Sequence, residues 1–312
     1  PESLKPKEWP AIPYRDILAK RLRRIQRSGH SRVLVSTDLP NDNSTRVVLG
    51  LLDVDVTQFQ LLGTARTLTD YLAGTQVEEM GIVVAGFGGS HAERIVEALL
   101  AALLAGNASL PDYKSKPRRQ STLQRVHLHG VNARHRFRRS QAEAEGAGLA
   151  RYLAMLPPNE LTPGSYRKRV TRLAREQGWQ MKFFGIEQLA SRGAGAFLAV
   201  AQASPEPDAG IVRLRYRPKT ARRSARPNKL ALVGKGICYD TGGVNLKPAR
   251  YMLGMHEDMT GSAVALGTLL TLSLLEVRFE VECWLALATN HIGPKSYQPN
   301  DVIKALDGTT IE

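Results

Sequence analysis

Val233-Gly-Lys-Gly-Ile-Cys-Tyr-Asp-Thr-Gly-Gly-Val-Asn-Leu-Lys-Pro248, followed by Met255-His-Glu-Asp-Met259, sets two lysines and two aspartates around a double glycine. Leu230 to Val233 is an apolar run with few turn residues and reads as a buried parallel strand. Gly234, Gly236, Gly242 and Gly243 then allow the backbone to approach something closely. Lys235 and Asp240 fall at a strand end, where open α/β sheets bind ligands. The stretch has the character of half a metal site.

Asp258 precedes Met259-Thr-Gly-Ser-Ala-Val-Ala-Leu-Gly-Thr-Leu-Leu, whose small and apolar residues predict a packed helix. Its carboxylate therefore stands near a helix N-terminus, where negative charge is favoured. Two carboxylates converging on one point repel unless a cation lies between them, and oxygen ligands suit divalent ions such as Zn, Mn or Mg. A lysine joins such a set only as the neutral amine, because the ion competes with the proton for the nitrogen lone pair. Lys247 is expected to stay cationic and face a substrate. The competing reading of each residue alone is a Gly-rich turn carrying surface charges.

The segment resembles the metal-binding signature of the leucyl aminopeptidase family, the M17 dinuclear metallopeptidases. That pattern, V-G-K-G-(x)3-D-[ST]-G-G-(x)3-K and then M-(x)2-D-M-x-G-(x)-A, recurs here without insertion. The resemblance implies that Lys235, Asp240 and Asp258 are metal ligands, with Asp240 bridging two ions. It implies that Lys247 is the catalytic lysine and that Met255 lines the pocket for the first side chain of the substrate, giving an apolar preference. It further implies two divalent metal ions (Zn or Mn, with Mg or Co as alternatives), peptide substrates, a homo-hexamer, and a mixed central sheet flanked by helices.

Similarity continues through Leu156-Pro-Pro-Asn-Glu-Leu-Thr-Pro163, Gly195-Ala-Phe-Leu-Ala-Val-Ala-Gln-Ala-Ser204 and Tyr297-Gln-Pro-Asn-Asp-Val-Ile303, so it covers residues from about 140 onward. The earlier residues match in general character only. Tyr251 stands where the family usually has asparagine, Leu253 where it often has aspartate, and Thr260 where it has glycine. The family draws its remaining carboxylate ligands, and an arginine that holds a bicarbonate base, from an N-T-D-A-E-G-R segment just after a stretch like Asp307-Gly-Thr-Thr-Ile-Glu312. The sequence stops at Glu312, before any such segment. Asp301, Asp307 and Glu312 do not follow its pattern and are not taken as ligands. Three explanations are weighed: residues of a longer protein follow, a second chain supplies them, or this is a truncated product. The 312-residue chain alone is expected to be inactive.

The length of 312 residues suits about two domains. They are placed at 1–139, an N-terminal α/β domain, and 140–312, a catalytic α/β domain incomplete at its C-terminal end. Cys238 and Cys283 are the only cysteines. They cannot form a disulfide framework, and a reducing, cytoplasmic compartment is expected. Each reads as a small buried hydrophobe. No apolar run reaches the roughly 18 residues that a membrane span needs. The chain begins at Pro1 without methionine, which leaves room for a processed leader.

The net charge of +14 is concentrated in Lys114–Arg119, Arg134–Arg139 and Arg217–Arg226. Such runs can bind nucleic-acid phosphates, although solvated loops explain them as well and aromatic residues scarcely interleave with them.

Strands are predicted at Arg32–Ser36 and Gly81–Phe87, with a helix over Ile95–Leu104. Gly86-Phe-Gly-Gly-Ser90 reads as a tight turn, since it lacks the full spacing of a nucleotide fingerprint. Further along, helices are predicted from Ser140 to Met155, over Pro163–Gln177 and from Ile186. Strands are predicted at Met181–Phe184, Phe197–Ala201, Ile211–Tyr216 and Glu280–Thr289, and the alternation gives an α/β class. The seven histidines form no zinc spacing. The reading that follows is a metal-dependent aminopeptidase. Its rivals are a DNA-binding protein on a peptidase platform and an inactive structural homologue.

Overall fold

The computed structural model describes residues 13–26, 34–53, 55–71, 77–117, 121–129, 131, 134–218 and 229–312. The chain divides into two compact units, one formed by residues 1–108 and 112–141, the other by 109–111 and 142–312.

The first unit runs α1 (Arg15–Gln26), β1 (Leu34–Asp38), β2 (Arg46–Gly50), α2 (Gln58–Asp70), β3 (Glu79–Val83), α3 (Gly89–Asn107) and β4 (Arg125–His129). β1 and β2 form an antiparallel hairpin, and β3 and β4 pair in parallel through the α3 crossover. Thr57 starts α2 with a reciprocal cap, its hydroxyl accepting from the Gln60 N–H. Leu61 and Ala65 of α2 pack on Ile95 and Ala98 of α3, while Val96, Leu100 and Leu103 turn toward Ile82 and Phe137. The Gly86–Ser90 stretch, expected as a tight turn, is a bend at Gly86 that leads through Gly88 into α3 at Gly89, with φ positive at Gly86 and Gly89.

The second unit is built on a four-stranded mixed sheet of order β5 (Gln180–Gly185), β6 (Gly210–Tyr216), β8 (Glu280–Asn290), β7 (Lys229–Asp240). The β5/β6 and β6/β8 pairs are antiparallel, and β7/β8 is parallel. Val212, Leu214, Val281, Cys283, Leu285 and Leu287 face one side of this sheet. There they pack with α4 (Arg134–Ala154), α5 (Pro163–Gln177) and α9 (Thr260–Leu274). The opposite side carries an ion-pair ladder in which Arg213 meets Glu282 and Arg215 Nη2 lies 2.6 Å from Glu280 Oε2. This is the mixed sheet flanked by helices that the resemblance implied. No described helix is long and apolar enough to cross a membrane.

Three expectations change. Phe197–Ala201 lies in a helix, α7 (Gly195–Ala201), after the short α6 (Ile186–Ala190). A short apolar run has no readable period, and alanine favours a helix. The strand at Leu230–Val233 is parallel but not buried, because β7 is an edge strand and Val233 is 79% exposed. The helix expected from Ser140 begins at Arg134, so the basic run 134–139 is helical rather than a loop. Of the other basic runs, 114–117 is described as loop, while 118–119 and 219–226 lie outside the described residues, as do Arg32 and Val33.

α4 and α9 touch backbone to backbone. A Cβ on Gly146 would sit 2.4 Å from the Gly267 carbonyl oxygen, and one on Gly267 would sit 2.3 Å from that of Gly146. Thr271 Oγ1 closes the contact by donating to the Ala142 carbonyl at 3.1 Å. Gly146→Ala should therefore cost about 1–3 kcal/mol as overpacking forces the helices apart. Gly106→Ala in α3, where a Cβ meets nothing within 4 Å, should be neutral or slightly stabilising. Denaturant midpoints of the two variants check this, and equal midpoints would contradict it.

Candidate metal centre

The middle of β7 is pressed against the start of α9, so Lys235 lies mid-strand rather than at the strand end expected, and only Asp240 stands at that end. A Cβ at Gly234 would lie 2.5 Å from Ser262 Cα, and one at Gly236 would lie 2.7 Å from the Ala286 carbonyl oxygen and 3.2 Å from Ser262 Oγ. The glycines thus admit the neighbouring helix and strand. Ser262 is fully buried, with its hydroxyl between Tyr166 Oη at 3.1 Å and the Met259 carbonyl at 2.7 Å. This contact fixes Asp258, just before α9, beside Lys235 of β7. Lys235 Nζ lies 3.0 Å from Asp258 Oδ1. The other oxygen, Asp258 Oδ2, is buried without a hydrogen-bond partner. A carboxylate oxygen in that condition costs free energy unless a cation or proton meets it.

Asp240, the last residue of β7, heads a loop in which Gly242 and Gly243 take φ of 90° and 68°. Only glycine adopts such angles readily. At Gly242 a Cβ would also meet the Asn245 carbonyl oxygen at 2.4 Å. The loop returns Lys247 to Asp240, where the ammonium donates to Oδ2. Lys247 Nζ also lies 3.4 Å from Met255 Sδ. Met255 opens a 3₁₀ turn, Met255–Glu257, that follows α8 (Ala249–Met252) and leads to Asp258. Asp240, Lys247, Met255, Asp258 and Lys235 are thus joined by an unbroken string of contacts and one short turn. Burial raises the Asp240 carboxyl pKa, but the Lys247 ammonium, the Gly242 N–H and the Asn290 amide outweigh it, so it lies below its ordinary value.

Two carboxylates, one with an orphaned oxygen, and an amine that ligates when neutral form a donor set that fits one side of a divalent-ion site. Among the described residues no group of three His, Cys, Asp or Glu side chains gathers to hold a metal, and this site brings two carboxylates and a lysine. His127 instead pairs with Glu79 at 3.0 Å. Cys238 and Cys283 are buried, with burial pushing each thiol up to about 12, so both remain unreactive thiols.

Sequence reading missed Asn290. Its Nδ2 donates to Asp240 Oδ1 at 2.7 Å from the end of β8. The expected strand stopped one residue short of it. The available signal was the parallel β7/β8 pairing, which brings the C-terminal ends of both strands to one edge.

The family model described as "Cytosol aminopeptidase family, catalytic domain" matches residues 148–312. The chain belongs to the cytosol aminopeptidase family. Relatives agree with that. A probable cytosol aminopeptidase of Leifsonia xyli subsp. xyli is 39% identical over 174 residues, 56% of this chain and 34% of the relative. One from Persephonella marina is 31% identical over 228 residues, 70% of this chain and 44% of the relative. The chain spans about a third to a half of the length of such curated relatives. Among solved structures, the bottromycin maturation enzyme BotP in complex with Mn has a TM-score of 0.75 and 27% identity, over 89% of this chain and 58% of that one. The cytosol aminopeptidase of Coxiella burnetii has a TM-score of 0.72 and 22% identity, over 96% of this chain and 61% of that one, and shares the fold.

Proposed function

We propose that the protein carrying this chain is a metal-dependent aminopeptidase that removes N-terminal, preferably apolar, residues from peptides with two divalent ions. The observation that carries this reading is the pairing of Lys235 with Asp258 and of Lys247 with Asp240, inside the segment matched by the family model. The Mn named with BotP and the orphaned Asp258 oxygen support the metal.

Lys235, Asp240 and Asp258 would hold the ions, with Asp240 shared between them. When bound, two such ions supply Lewis acidity and a water activated for attack at neutral pH. Lys247 supplies a cationic donor beside the same carboxylate. As the peptide carbonyl carbon becomes tetrahedral, the ammonium hydrogen-bonds the oxyanion that develops, where a fixed charge stabilises most. Met255, in contact with Lys247, offers a polarizable apolar wall that suits leucine-like side chains. The resemblance further proposes a homo-hexamer.

Peptides offered as twins, free or acetylated at the N-terminus, test the exopeptidase reading. The full-length protein should shorten the free peptides one residue at a time, read by mass spectrometry, and leave the acetylated ones intact. Cleavage of both twins at internal bonds would overturn it.

A further inference from the structure

We infer that Asn290 is a positioning residue that aims the Asp240 carboxylate, an inference that rests on the metal-site reading above. Asp240 Oδ1 accepts from the Gly242 N–H at 2.9 Å and from Asn290 Nδ2 at 2.7 Å. Oδ2 is met only by the Lys247 ammonium among the described residues. Two donors on one oxygen fix the carboxylate plane, so that the other oxygen is the one presented to a cation. Without the Asn290 amide, Oδ1 keeps one backbone donor and Oδ2 keeps the flexible Lys247 ammonium, so the carboxylate plane is held less firmly toward an ion.

Asn290 acts through two separate groups. Its backbone carbonyl accepts from both the N–H and the Oγ1 of Thr241, each at 2.9 Å, and this anchors the loop that carries Gly242, Gly243 and Lys247. The Lys247 N–H in turn donates to the Thr241 carbonyl at 2.9 Å. The backbone anchor survives any side-chain change at position 290, so replacing the side chain removes the amide donor and leaves the loop tied. Only the NH₂ end of the amide can face a carboxylate, which sets the orientation of the side chain.

A partner that orients a metal-binding side chain is worth about 10–100-fold in metal affinity or activity. Asn290→Ala and the similarly sized Asn290→Leu, made in the full-length protein, should each weaken Mn binding by about that factor in a calorimetric titration. On leucine p-nitroanilide they should lower kcat far more than they raise KM. Leucine fills the space without donating, so a residue that served packing alone would be rescued by Asn290→Leu. Mn affinity and kcat equal to the parent in Asn290→Leu would overturn the inference. Asp240→Asn, titrated beside them, separates the two levels. If it loses Mn while Asn290→Ala and Asn290→Leu keep it, the role of Asn290 is wrong and the metal site stands. If Asp240→Asn itself binds Mn like the parent, the site reading fails and this inference with it.

Discussion

Asp240→Asn in the full-length protein is expected to abolish hydrolysis of aminoacyl p-nitroanilides while the fold persists. The substitution keeps the shape of the side chain and removes its charge. Asp240 lies below its ordinary carboxyl pKa and is therefore ionised throughout the neutral range. Its stabilising charge would be lost only as pH falls through that lowered value. The proposed shared position needs that negative charge twice, once for each ion, and a neutral amide offers one weak oxygen instead. The Gly242 N–H can still donate to the amide oxygen, and the Thr241 anchor to the Asn290 backbone is untouched. Loss of activity should thus come with loss of bound metal and with a native circular dichroism spectrum. Near-parental turnover would contradict the assignment of Asp240.

Lys247→Met separates chemistry from metal binding. The ammonium touches the Asp240 carboxylate and Met255 Sδ, and in the proposed mechanism it hydrogen-bonds the developing oxyanion. Methionine has similar length and no charge, so the transition state loses one donor. The expected fall in kcat is about 10²–10³-fold, the cost of removing one oxyanion donor. Metal content should stay at the parental level, because the carboxylates and Lys235 remain. A variant that loses metal in proportion to its activity would show that Lys247 is a ligand or a structural counter-ion.

Much of the second unit was legible because local signals agreed with one another. α5 was predicted over the residues it occupies, since Thr162 caps it, Pro163 begins it and Gly178 ends it in the left-handed region. The string from Lys235 to Asp258 was legible as a set because its residues lie close in sequence and its glycines mark turns. What escaped depends on tertiary placement. α7 is too short to show a helical period. The exposure of Val233 follows from β7 standing at the sheet edge, which no apolar count reveals. Asn290 is fifty residues from Asp240, and it became visible only when the parallel pairing of β7 and β8 put both at one end of the sheet.

The most direct test of the two-ion reading is elemental analysis of the native full-length protein and of Asp240→Asn, side by side, after dialysis against Mn. The account predicts two ions per chain in the native protein and a loss of one or both in the variant. Equal metal content in the two proteins would contradict it.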